Sequence, residues 1–165
     1  MSSEIDELKN SCFAKDLTQD ELKTLNEIAK SKVYYKNEKI FDEDDESNSL
    51  YLLVEGRVCI ERKAFPTRHL FIPQIQIVKH GQIFGEMAFL EDAPRSATAR
   101  AKGNVRVLVF QNSTLKNLMT ENTALGYKLM ANIAKIVSRR LRRMNDQWLS
   151  AVGNDFVMPE FEYLD

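Results

Sequence analysis

From Val33 to about Gln111 the chain keeps a period of two, in pieces too short for helices. Eight such runs stand at residues 33–35, 39–41, 50–54, 58–60, 75–78, 82–84, 97–100 and 105–110. Turn chemistry separates several of them: the acidic stretch Asp42 to Asn48, Glu55-Gly56, His80-Gly81 and Gly103-Asn104. Short strands at that spacing predict an antiparallel roll or barrel and not a parallel sheet. At 165 residues the chain fits one domain with a single sizeable core.

Helical patterns flank this region. Residues 4–31 read as helix in two short pieces, the second capped by Asp16 or Thr18, with Leu22, Leu25 and Ile28 as its apolar stripe. After Phe110, Ser113 is suited to cap a helix beginning at Thr114, and Thr120 or Asn122 a longer one running over about 122–152. On the longer helix Ile133, Val137, Leu141, Met144, Trp148 and Ala151 recur every three or four residues. So long a seam predicts a parallel homodimeric coiled coil. Gly153 ends the pattern and Pro159 prevents its return, leaving a tail, 153–165, in which aromatics alternate with acids. A frayed end, docking on the parent fold and a partner-binding peptide all remain open for this tail.

One run departs from plain strand and turn: Phe84-Gly85-Glu86-Met87-Ala88-Phe89-Leu90-Glu91-Asp92-Ala93-Pro94-Arg95-Ser96-Ala97-Thr98-Ala99. Gly85 permits a close backbone approach or a positive φ. Residues 86–90 suit one helical turn, whose first N–H groups favour an anion. Arg95 offers a fixed fork of donors for two phosphate oxygens. Ionised Glu86 only accepts, so it suits a sugar hydroxyl.

This run resembles the phosphate-binding cassette of cyclic nucleotide-binding domains, which occur in catabolite-activator-type regulators, protein kinase A regulatory subunits and cyclic nucleotide-gated channels. The resemblance covers about residues 15–150. It implies an α+β fold: an antiparallel β-roll of jelly-roll type with N-terminal helices, a short cassette helix and a long C-terminal helix. It further implies a domain over 1–152 that dimerises through that helix, followed by the tail. The implied ligand is a cyclic nucleotide, cyclic AMP ahead of cyclic GMP. Gly85, Glu86, Met87, Ala88, Arg95, Ser96 and Ala97 would bind it, with Arg95 on the cyclic phosphate and Glu86 on the ribose 2′-hydroxyl. Val54, Ile60, Phe71, Ile83, Met87, Leu90 and Ala97 are the apolar positions open to lining the pocket or merely filling the core.

At the base end the resemblance weakens. Counting on from Arg95 at the family's distance reaches Arg140 and Leu141, where hydroxyl residues would read adenine. Arginine stacks on a purine or donates to its N7 or a guanine O6, but it cannot accept from an adenine amine. Arg139, Arg140, Arg142 and Arg143 also read as a solvated basic face. No recognition helix follows them, and the formal net charge is −1, so direct DNA binding is not expected.

Chemistry finds little support. His69 and His80 form no His-x-His pair for a metal, Cys12 and Cys59 have no metal spacing, and no phosphate loop or nucleophile–base motif is present. No apolar run approaches the roughly 20 residues of a membrane span. The expectation is a cytoplasmic, non-catalytic, metal-free receptor that signals to an unidentified protein partner. The alternatives are a ligand-independent scaffold and a DNA-binding-deficient relative that modulates a transcription regulator.

Overall fold

The computed structural model describes residues 4–62 and 76–152. It divides into two compact units, Met1–Ile133 and Ala134–Asp165. The first opens with helices α1 (Glu4–Lys9) and α2 (Gln19–Glu27). Strands β1 (Ala29–Tyr34), β2 (Lys39–Phe41), β3 (Ser49–Glu55), β4 (Val58–Glu61), β5 (Gln76–Val78) and β6 (Ile83–Phe84) follow. A short helix α3 (Glu86–Glu91) precedes β7 (Thr98–Ala101) and β8 (Val105–Gln111), and helices α4 (Asn112–Glu121) and α5 (Thr123–Val152) close the described chain.

The strands form two four-stranded sheets, in the orders β1-β8-β3-β6 and β2-β7-β4-β5, with antiparallel pairing throughout. This is the expected β-roll. Its interior is an apolar cluster containing Tyr51 and Leu53 of β3, Val105, Val107 and Val109 of β8, and Ala99 and Ala101 of β7. The alternate residues Leu50, Leu52, Leu108 and Phe110 are just as buried on the other face. There the Phe13 ring meets Phe110 at 5.5 Å between centroids. Helical segments therefore cover the outside of β3 and β8, which is why these two strands read as continuous apolar runs.

Thr18 caps α2 in a capping box: its hydroxyl accepts from the Glu21 N–H, and the Glu21 carboxylate accepts from the Thr18 N–H. Helix ends at Glu27, not at 31 as the sequence pattern suggested, because residues 29–34 pair with β8 from Ala29↔Phe110 to Tyr34↔Val105. A ladder of tertiary hydrogen bonds there outweighs the helix preference of Ala29 and Lys30. Strand β7 likewise begins at Thr98 and not at Ala97. The expected Ser113 cap is also displaced: α4 starts at Asn112, with Gln111 as its extended N-cap residue. Asn122 closes α4 through its backbone N–H and caps α5 through its side chain, which accepts from the Leu125 N–H at 3.0 Å. At Gly126 the α4 backbone comes so near that an added Cβ would lie 2.5 Å from the Met119 carbonyl oxygen.

The first turns of α5 belong to the roll. Leu125, Leu129 and Ile133 are fully buried at spacings of four. Ile133 is thus core and not part of the exposed seam. Lys128 donates to both Glu21 oxygens at 2.8 and 2.9 Å, and Asn132 donates from Nδ2 to the carbonyls of Phe13 and Lys15. In the second unit Val137 is half-buried, while Leu141, Met144, Trp148 and Leu149 are exposed. The tail 153–165 and the candidate lining residue Phe71 lie outside the described residues. No helix among the described residues is long and apolar enough to cross a membrane.

Candidate functional site

The segment between β6 and β7 folds as its composition demands. Gly85 takes φ 77° and ψ 13°, a left-handed conformation at the start of α3, and has no side chain with which to cap the first-turn N–H groups. Glu86 follows directly and is only 5% exposed. Ala88 and Phe89 turn into the protein, whereas Met87 is 46% and Leu90 39% exposed. The helix ends at Asp92, also left-handed, whose N–H bonds the Ala88 carbonyl and whose carboxylate pairs with Lys116 of α4.

Arg95 is then drawn inward. Its backbone bonds the acidic loop twice, its N–H to the Asp45 carbonyl at 2.8 Å and its carbonyl to the Asp44 N–H at 2.9 Å. Thr98 continues the join: its hydroxyl accepts from the Glu43 N–H at 3.0 Å and donates to Asp42 Oδ1 at 3.3 Å. The Arg95 side chain, 3% exposed, donates from Nη2 to the Ser49 carbonyl at 2.7 Å and from Nη1 to the Gly85 carbonyl at 3.3 Å. Its guanidinium carbon stands 4.2 Å from the Phe41 ring centroid and 5.5 Å from that of Tyr51. Nε is buried with no hydrogen-bond partner. Burial pulls the guanidinium pKa below its ordinary value, against the opposing influence of Tyr51, Asp45 and Glu86.

Gly85 and Arg95 are therefore brought together, with Glu86 acting on the Arg95 charge, while Ala88 and Ala97 are buried. Ser96 is exposed, and its hydroxyl faces the Met87 sulfur at 3.7 Å. Among the apolar positions singled out, Val54 and Ile83 are plain core and Ile60 packs against the roll interior. Arg140 and Leu141 lie on α5 in the second unit, Leu141 57% exposed. The sequence offered no sign that Ser49, Phe41 and Tyr51 surround Arg95, the first of them 46 residues away. The sequence pattern sets Phe41 and Tyr51 in strands but names no neighbour for either.

A cavity of about 400 Å³ lies elsewhere, lined by Phe89 and Leu90 of α3, Lys116, Met119 and Thr120 of α4, and Gly126, Tyr127 and Met130 of α5. Neither Glu86 nor Arg95 lines it, so the polar groups of the β6–β7 segment and this apolar hollow are distinct features.

Two antiparallel sheets closed into a roll, broken by a short helix before β7 and followed by a helix pair, define an α+β β-roll domain. The chain belongs to the cyclic nucleotide-binding domain family, which it matches over residues 31–122. It is 24% identical over 116 residues to a CRP-like cAMP-activated global transcriptional regulator of Mycobacterium tuberculosis, a match covering 70% of this chain and 49% of the relative. It is 30% identical over 115 residues to a cAMP-dependent protein kinase regulatory subunit of Candida albicans, covering 65% of this chain and 23% of that one. The chain thus spans about half of the first relative and about a quarter of the second. In fold it is similar to a cyclic nucleotide-binding domain of Methylobacillus flagellatus, with a TM-score of 0.77 at 21% identity over 93% of this chain and 84% of that one.

Proposed function

We propose that the chain is a cyclic nucleotide receptor, favouring cyclic AMP over cyclic GMP, that passes a ligand-induced helix movement to a protein partner. The observation that carries this reading is the Arg95 guanidinium. It is a buried cation held beside Gly85 and the start of α3, with its Nε–H left without a partner. A cyclic phosphate at the α3 start would accept from that fork and from first-turn N–H groups, while Glu86 accepts from the ribose 2′-hydroxyl. Met87, Ala88, Ser96 and Ala97 shape the phosphate and sugar end. The domain in this reading is 1–152, and 153–165 is a separate partner-facing tail.

Output passes by binding and not by catalysis, DNA contact or membrane insertion. Val137, Leu141, Met144 and Trp148, at spacings of four, three and four, make the homodimer seam, and exposed Tyr127 and Met130 precede them in the same rhythm. Free Cys12 and Cys59 fit a reducing cytoplasm.

Calorimetric titration with cyclic AMP and then cyclic GMP, on wild type and Arg95→Ala, tests the reading. Binding at about −8 kcal/mol or better that collapses in the variant supports it and identifies the preferred base. A folded, empty protein that gives no heat with either nucleotide overturns it in favour of a ligand-independent scaffold.

A further inference from the structure

We propose that Phe41 and Tyr51 are positioning residues for the phosphate-binding arginine, a role that rests on the cyclic nucleotide reading above. Arginine brings about 2 kcal/mol of side-chain rotamer entropy, so an arginine that must meet a small anion gains from being placed beforehand. Arg95 is placed by two kinds of contact. The carbonyls of Ser49 and Gly85 fix two of its nitrogens, and its guanidinium carbon lies over the rings of Phe41 and Tyr51.

The rings are themselves held. Tyr51 and Phe84 stack at 5.0 Å with an interplanar angle of 15°, and Phe41 meets Tyr51 at 5.6 Å and Phe84 at 6.0 Å. Phe41 comes from β2 in one sheet, while Tyr51 and Phe84 come from β3 and β6 in the other. The cluster therefore spans the roll, and Arg95 rests on it.

Rings and carbonyls differ from a carboxylate in what they do to the cation. They stabilise a buried guanidinium without cancelling its charge. A bonded carboxylate would compete with the phosphate for the same N–H groups. Here two guanidinium nitrogens bond the carbonyls of Ser49 and Gly85, and buried Nε is left without a partner. The aromatic platform thus acts on the phosphate through Arg95 and makes no claim on the base.

The test compares cyclic AMP and cyclic GMP affinities of the full-length wild type, Phe41→Leu, Phe41→Tyr and Arg95→Gln, each shown to melt cooperatively. Phe41→Leu should lose about fivefold in affinity for each nucleotide that binds, with the ratio between them unchanged. Phe41→Tyr, which restores a ring face, should recover it. In an Arg95→Gln background, Phe41→Leu should change the residual affinity by less than about twofold, because its neighbour's charge is gone. Should Phe41→Leu melt early, Phe41→Met, which keeps the volume and lacks the ring, takes its place. Wild-type affinity in the ringless variant, or an equal loss in the Arg95→Gln background, overturns the positioning role while leaving the receptor reading intact. A wild type that binds neither nucleotide overturns the receptor reading itself.

Discussion

Arg95 occupies the space that any side chain at position 85 would need: an ideal Cβ on Gly85 would stand 2.5 Å from Arg95 Nη1, the nitrogen that bonds the Gly85 carbonyl. The two residues are therefore one device. The absence of a side chain at 85 is what allows the guanidinium to lie against the start of α3.

Gly85→Ala should consequently damage binding and stability together. The left-handed φ costs an alanine about 1–2 kcal/mol, and the methyl must displace the guanidinium. The melting temperature should fall and cyclic nucleotide affinity should drop by about tenfold or more. Thermal denaturation alongside titration checks this; an unchanged affinity would separate Gly85 from the site.

Arg95→Ala should cost affinity by tens-fold or more, since removing one partner of a buried hydrogen-bonded charge pair costs about 2–5 kcal/mol. Arg95→Lys should recover only part of that. Lysine keeps the charge but lacks the planar fork that reaches Ser49 and Gly85 together. Equal affinity in Arg95→Lys and wild type would show that charge alone suffices.

Asn132 fastens α5 to the N-terminal segment by donating to two backbone carbonyls, and it is almost fully buried. Asn132→Ala strands both acceptors, so stability should fall by about 1–3 kcal/mol. Urea unfolding measures this, and the slope should stay unchanged because the surface exposed on unfolding does not alter.

Glu21 makes a pH prediction. Burial raises its pKa, but the bonds to Lys128 and to the Thr18 N–H and hydroxyl prevail and hold it below the ordinary carboxyl value. With the folded pKa below the unfolded one, Glu21 contributes its full stabilisation above the ordinary carboxyl range. It loses that contribution as pH falls through the lower folded value. Glu21→Gln should therefore flatten the acid limb of the stability profile, as followed by melting temperature from neutral pH downward. A parallel decline in variant and wild type would remove Glu21 as a cause.

The exposed seam of α5 predicts the oligomeric state. Leu141→Lys with Trp148→Lys should convert a dimer into a monomer by light scattering, while leaving the roll folded. A monomeric wild type would assign the seam to another partner.

The roll was readable because its strands are short, alternating and punctuated by turn residues, and the Gly85–Ala99 run stood out because each residue has a local reason to be there. The α5 seam was only partly readable. Ile133 has the right spacing and the right chemistry, yet it joins Leu125 and Leu129 in the roll's core, because periodicity alone does not say which of two faces meets the protein. The helical pattern overruns to residue 31 for a similar reason: Ala29 to Ser31 satisfy their backbone groups on β8, a strand almost eighty residues later.

Local chemistry by itself determined the short alternating strands, a helix cap at Asp16 or Thr18, a glycine at 85 suited to a positive φ or a close approach, and the short helix beyond it, since each depends on residues a few positions apart. Tertiary structure alone decided that Arg95 turns inward, that Phe41, Tyr51 and Ser49 receive it, and that Asn132 and Lys128 tie α5 to the N-terminal segment. The reason is distance along the chain. The Ser49–Arg95 bond joins residues 46 apart, and the Lys128–Glu21 pair residues 107 apart. No local pattern encodes such contacts; they appear only once burial has brought the strands and helices together.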